Sequence, residues 1–185
     1  KLKRLMDYFE NDSQLRDILI TGGDALMSSD KSLQEVLEAI YQMAARKIES
    51  NKSRKDGEKY AELVRVRLGT RLPVYIPQRI TDELTMILAE FKLKASKIGV
   101  KQFLMQTHFE SAMEVTPEAR EGILKLISAG WTVTNQHVLT TASSRRGHTS
   151  KLRQVLNEIG VLGYYTFSIK GYMENQHNFA TNARA

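Results

Sequence analysis

The sequence predicts an α/β fold, with parallel strands joined by helical crossovers and about five strands forming part of a β/α (TIM-like) barrel. Two observations predict it. Apolar strand-like runs alternate strictly with segments of helical periodicity, in the order α-β-α-β-α-β-α-β-α-β. Such alternation leaves a barrel or a doubly wound sheet. Four of the strands also end in groups able to bind or react: Gly22-Gly23-Asp24, Arg67 to Arg71, Thr107-His108 and Asn135-Gln136. In a parallel barrel those carboxyl ends converge on one face, where such folds build their sites, and this favours the barrel. Five strands cannot close an eight-stranded barrel, so a partial one is expected.

Each element has its own signature. Leu2, Leu5, Met6 and Phe9 carry the i, i+3, i+4, i+7 spacing of one helix face, and "DILITGG" follows as a buried strand. In "DKSLQEVLEAIYQMAARK", Ser32 and Glu35 have capping-box spacing, and Leu33, Val36, Leu37 and Ile40 share a face. "LVRVRLGT" reads as a strand, after which Thr81 caps a helix with the stripe Leu84, Ile87, Leu88 and Phe91. "KQFLMQTHF" is the next strand. The helix "TPEAREGILKLISAG" has Thr116 as cap, Pro117 in its first turn and Gly130 just past its end. "WTVTNQHVLT", the helix "TSKLRQVLNEIG" stopped by Gly160, and the strand "LGYYTFSIK" complete the series.

The 185 residues are enough for one domain with a real core. No apolar run approaches the length of a membrane span, and the first residues, "KLKRLMDYFE", are not a signal peptide. The missing initiator Met predicts that the chain starts inside a longer protein. A cysteine count of 0 excludes disulfides, thiolate metal sites and cysteine nucleophiles within it, and a cytoplasmic location is expected. The net charge of +6 raises the question of nucleic acid. Much of that charge falls in "RKIESNKSRKDGEK", where acids are interleaved and no aromatic is available to stack on a base. That segment reads as a solvated loop, so neither a nucleic-acid nor a membrane partner is predicted.

Taken alone, Gly-Gly-Asp is a weak signal, because glycine and Asp are common between strand and helix. No lysine follows where a G-x-x-x-x-G-K phosphate loop needs one. A carboxylate beside bare backbone suits an ammonium-bearing ligand better than a phosphate. "RVRLGTRLPVYIPQRIT" packs Arg65, Arg67, Arg71 and Arg79 around two prolines, and guanidiniums are natural anchors for anions. Arg65 and Arg67 share one strand face, opposite Val64, Val66 and Leu68, and such arginines need partners. His108 ends an apolar strand at the same depth as Gln136. The four histidines show no metal-ligand spacing, and no Gly-x-Ser-x-Gly elbow offers a nucleophile.

Together, "DILITGGDALMSSDKSLQEVL", "VRLGTRLPVYIPQRITDEL", "THFESAMEVTPEAREGILKLISAGWTVTNQHVL" and "LGYYTFSI" resemble the lysine 2,3-aminomutase family of radical S-adenosylmethionine enzymes, colinearly over nearly the whole chain. The resemblance implies a partial barrel of the radical S-adenosylmethionine type, with residues 1–185 as its central part. It implies three cofactors: an iron–sulfur cluster on a C-x3-C-x2-C motif, S-adenosylmethionine, and pyridoxal phosphate holding an amino-acid substrate as an imine while its amino group migrates. By position, Gly22, Gly23 and Asp24 occupy the motif that contacts the methionyl amine. Arg67, His108 and Gln136 fall near S-adenosylmethionine or the pyridoxal cofactor. Non-catalytic binding of a nucleotide-like ligand or a partner is the alternative function.

Two departures carry expectations of their own. The cysteine motif would precede Lys1 and the pyridoxal lysine would follow Ala185, so this chain alone is expected to be inactive. Where the lysine enzyme has an acidic residue after its Tyr-Tyr strand, this chain reads "YYTFSIKGYMENQHNF". Lys170 at that point predicts a substrate side chain that is anionic or neutral. An arc without its first strand would also leave an edge open, which predicts homo-oligomerisation.

Overall fold

The computed structural model describes residues 1–169 and 173–180; Lys170 lies outside the described residues. The elements in order are α1 (Leu2–Asn11), β1 (Asp17–Ile20), α2 (Asp30–Lys52), β2 (Arg65–Gly69), α3 (Leu72–Tyr75), α4 (Asp82–Lys97), β3 (Gln102–Thr107), α5 (Pro117–Ser128), β4 (Thr132–Leu139), α6 (His148–Glu158) and β5 (Leu162–Ser168). The expected alternation is present, with the single turn α3 added after β2.

All five strands are parallel in one sheet of order β1-β2-β3-β4-β5. A doubly wound sheet reverses its strand order at a switch point, and no reversal occurs here. The register aligns Ile20, Leu68, Met105 and Val133 across four strands. Side chains alternate between faces. Val66, Leu68, Phe103, Met105 and Val133 are buried in one apolar cluster with Leu33, Leu37 and Ile40 of α2, Leu84 and Leu88 of α4, Ile123 and Leu126 of α5, and Leu152 and Leu156 of α6. Trp131 anchors this layer. Its indole N–H donates to the Leu88 carbonyl at 3.1 Å, and its ring meets Phe103 edge-on and Phe91 in a stacked arrangement. The opposite sheet face carries Arg65, Arg67, Gln102, Leu104, Gln106 and Gln136, none of them buried. The helices therefore cover one face and leave the other for polar chemistry.

Two local expectations are corrected. The α2 cap is Ser29, whose side chain accepts from the Ser32 amide; Ser32 lies inside the helix. The charged segment "RKIESNKSRKDGEK" is not a loop throughout, since α2 runs on to Lys52. Within it Lys47 is only 1% exposed. Its ammonium donates to the Asp12 and Phe9 carbonyls at the end of α1, where a cation suits the helix's exposed carbonyls. Asn51 is buried too, bonded to both the carbonyl and the amide of Tyr60. The charge pattern hid one helix face that pins α1 to α2. Thr81 and Thr116 cap α4 and α5 as expected.

At the far edge every residue of β5 is exposed, including Leu162, Tyr165 and Phe167. Residues 173–180 meet the chain just after β4, where Thr140 bridges Phe179 and the Thr141 hydroxyl donates to the carbonyls of His177 and Phe179.

Candidate functional site

The loops at the carboxyl ends of β1 to β4 surround a cleft of about 500 Å³. Gly23 and Asp24 come from the first loop, Gly69 to Leu72 from the second, Gln106 to His108 from the third, and Gln136 from β4. Leu19, Met27, Tyr75 and Ile76 give it apolar walls. The turn after β1 holds Gly22 at φ +113° and Gly23 at φ +80°, which L side chains rarely adopt. A Cβ on either would meet nothing within 4 Å. Glycine is thus required by the backbone path and leaves the peptide groups bare.

Asp24 is not a free anion. One carboxylate oxygen accepts from the Leu26 amide at 3.0 Å and the other from the Arg71 amide at 2.6 Å. The side chain therefore fastens the first loop to the second and fixes the width of the cleft. Asn135 does the same for the third: its Oδ1 accepts from the Phe109 amide at 2.7 Å and its Nδ2 donates to the Phe109 carbonyl at 3.1 Å.

The sequence-predicted residues separate at this point. Gly23, Asp24, His108 and Gln136 come together on the cleft, with Gly22 next to them in the turn. Arg67 does not line it. Its Nε and one terminal nitrogen each lie 2.9 Å from the Asp17 carboxylate, which Arg65 also approaches at 3.5 Å. Arg79 binds Asp30 and the Ser28 carbonyl instead. The arginine at the cleft is Arg71, whose Nε donates to the His108 carbonyl at 3.1 Å and whose guanidinium lies 4.4 Å from the Tyr75 ring centroid. Sequence reading named it among four arginines able to anchor an anion but did not single it out for the site. It missed Glu110 altogether, although the carboxylate sits two residues beyond His108 and binds its Nε2.

His137 lies beside this group and is 4% exposed, with neither ring nitrogen hydrogen-bonded among the described residues. Burial holds its pKa below the ordinary histidine value; the nearby Glu110 carboxylate opposes that shift, and His148, Arg153 and His108 add to it.

Fit to the expected cofactors is uneven. The bare turn and the polar cleft suit a ligand with an ammonium and a nucleoside-sized body. Thiolate ligation of a cluster does not fit this chain, which has a cysteine count of 0, and the described residues contain no metal-ligating group of His, Asp and Glu. Among the described residues no lysine lines the cleft, so these offer no amine for a pyridoxal imine.

Fold and cleft together define a parallel α/β domain with a polar cleft at the carboxyl ends of its strands. No protein-family model matches the chain. It is similar to an uncharacterized KamA family protein of Methanocaldococcus jannaschii, 35% identical over the whole of this chain and 26% of that relative. It is also similar to glutamate 2,3-aminomutase of Clostridioides difficile, 31% identical over 95% of this chain and 36% of the relative. L-lysine 2,3-aminomutase of Clostridium subterminale is 30% identical over 90% of this chain and 34% of the relative. The chain is thus related to the lysine 2,3-aminomutase family, and it spans a quarter to a little over a third of the length of these relatives.

Proposed function

We propose that the chain is the central part of the barrel of an aminomutase-like radical S-adenosylmethionine enzyme, an isomerase acting on an amino acid. The convergence of the Gly22-Gly23-Asp24 turn, Arg71, His108 and Gln136 on one cleft carries the reading. S-adenosylmethionine, when bound, is the source of the hydrogen-abstracting group. The chain's own residues bind and orient. Peptide carbonyls of the glycine turn accept from the methionyl ammonium, and Asp24 holds that turn at fixed distance from β2. His108 and Gln136 offer polar contacts on the facing wall, while Leu19 and Met27 exclude water from the ligand's apolar parts. Arg67, tied to Asp17 below the cleft, sets the charge of the open face without touching this ligand.

The iron–sulfur cluster and the pyridoxal lysine are assigned to residues outside this chain. Lys170 is assigned to the substrate side chain, favouring an anionic or neutral one. Two ammonium groups at ~4 Å repel by roughly 1 kcal/mol in water and by about 4 near a protein surface.

Calorimetric titration of the chain with S-adenosylmethionine tests the reading. Binding weaker than micromolar, and lost in Asp24→Ala and Gln136→Ala, is expected. Submicromolar binding unchanged in both variants would refute it. The bare turn equally fits non-catalytic capture of a nucleotide-like ligand; adenosine binding as tightly as S-adenosylmethionine would favour that second reading.

A further inference from the structure

The cluster around Glu110 is the most heavily tethered group near the cleft, yet it is left incomplete on one side. The Glu110 amide donates to Glu114 at 2.6 Å, and its carbonyl accepts from His148 Nε2 at 2.7 Å. Its Oε1 takes the His108 Nε2–H and also accepts from the Val138 amide at 3.1 Å. Four partners from three segments thus fix this one residue. Its Oε2 is buried with no hydrogen-bond partner, and the His137 Nε2, likewise without one, stands 3.7 Å away. Two unpartnered buried polar atoms facing each other are costly apart and satisfied together.

We propose that Glu110 is a positioning residue for His108, supported from behind by His137, so that His108, Glu110 and His137 form one line of polar groups running from the cleft into the helix-facing core, hydrogen-bonded at His108 and in electrostatic contact at His137. The consequence lies in which ring nitrogen His108 presents. In the neutral ring, an Nε2 that donates to Glu110 leaves Nδ1, with no hydrogen bond among the described residues, as the acceptor. A cleft whose histidine accepts selects ligand groups that donate, an ammonium or a hydroxyl, over phosphate oxygens. A neutral His137 with its proton on Nε2 completes the Glu110 carboxylate, and its burial disfavours the imidazolium. His148 and Arg153 are the other basic groups facing it, and both disfavour that imidazolium further. The role rests on the reading that the cleft receives the ligand.

The test is nitrogen-15 spectroscopy of the histidines in the full chain without ligand, in parallel with S-adenosylmethionine titration. At neutral pH, His108 and His137 are both expected to carry their proton on Nε2, with the His108 Nε2–H protected enough to be seen. Glu110→Gln keeps an acceptor for the Val138 amide. It is expected to lose that resonance and to lower the His137 pKa further, because the opposing carboxylate charge is gone. His137→Gln leaves every bond of Glu110 to His108 and Val138 in place, and it serves where Glu110→Gln fails to fold. It is expected to displace the His108 Nε2–H resonance. A His108 protonated on Nδ1 in the native chain overturns the proposal. So does an unmoved His108 resonance in whichever variant folds. Failure to bind S-adenosylmethionine with these spectra intact would instead count against the cleft reading alone.

Discussion

The two ends of the sheet's open face use the same residue types to opposite purpose. At the amino end, Asp17 is spent on Arg65 and Arg67, and Gln102 accepts from Arg65. Charge there answers charge, and little remains to bind anything else. At the carboxyl end, Asp24 and Asn135 are spent on backbone amides and carbonyls. Those bonds fasten loops to one another and leave the glycine turn, His108 and Gln136 facing the cleft. A carboxylate bonded to amides organises a site; one bonded to guanidiniums closes a surface. The difference comes from what each strand end must satisfy: paired side chains along the sheet below, unpaired loop backbone above.

Asn135 gives the sharpest test of that contrast. Replacing it with Ala removes the partners of both the amide and the carbonyl of Phe109 in a buried place. Each orphaned group costs about 1–3 kcal/mol, so Asn135→Ala is expected to destabilise the fold by about 2–6 kcal/mol in urea unfolding, with an unchanged m-value. A loss below about 1 kcal/mol would mean that the loops at this end are not held by their backbone bonds.

Asp24 and Arg67 form the next pair. Asp24→Ala releases the Leu26 and Arg71 amides in a half-buried loop and is expected to cost about 1–2 kcal/mol. It should also abolish S-adenosylmethionine binding. Arg67→Met breaks a two-pronged contact that water partly screens, with Arg65 still beside Asp17. Its cost should stay at about 1 kcal/mol or less, with ligand affinity unchanged. Equal effects on binding from the two variants would erase the distinction between the ends. Gly23→Ala tests the turn alone. With open space around the new Cβ, only the left-handed backbone resists, at about 1 kcal/mol, read as a small drop in melting temperature.

Much of the carboxyl end was legible because strand and helix periods bracket the loops between them. Gly22, Gly23, Asp24, His108 and Gln136 could be placed from their position after apolar runs, and the caps Thr81 and Thr116 from the residues that follow them. What stayed hidden depends on distance in sequence. Arg67 and Arg71 differ by four residues, yet one turns to Asp17 and the other to the His108 carbonyl. No local pattern records that choice. Glu110 reads as an ordinary polar loop residue until His137, from the next strand, stands behind it. Lys47 and Asn51 were lost in a charged run because burial by α1 cannot be read from α2's own composition.

The last expected effect separates the helix-facing side of the sheet from both ends, through pH. His137 has its pKa held below the ordinary value of 6.5 chiefly by burial. The unfolded chain therefore takes up a proton near pH 6.5, where the folded chain still resists it. Stability tracks the difference in bound protons, so it should be full above about pH 7 and fall as pH drops through 6.5. Once the folded imidazole itself titrates, this loss levels off. One proton limits the slope to about 1.4 kcal/mol per pH unit. Urea midpoints measured from pH 7.5 down to pH 5 should fall in the native chain, and His137→Gln should remove that part of the fall. An identical decline in the variant would mean that another group governs this range and that His137 is not held neutral by its burial.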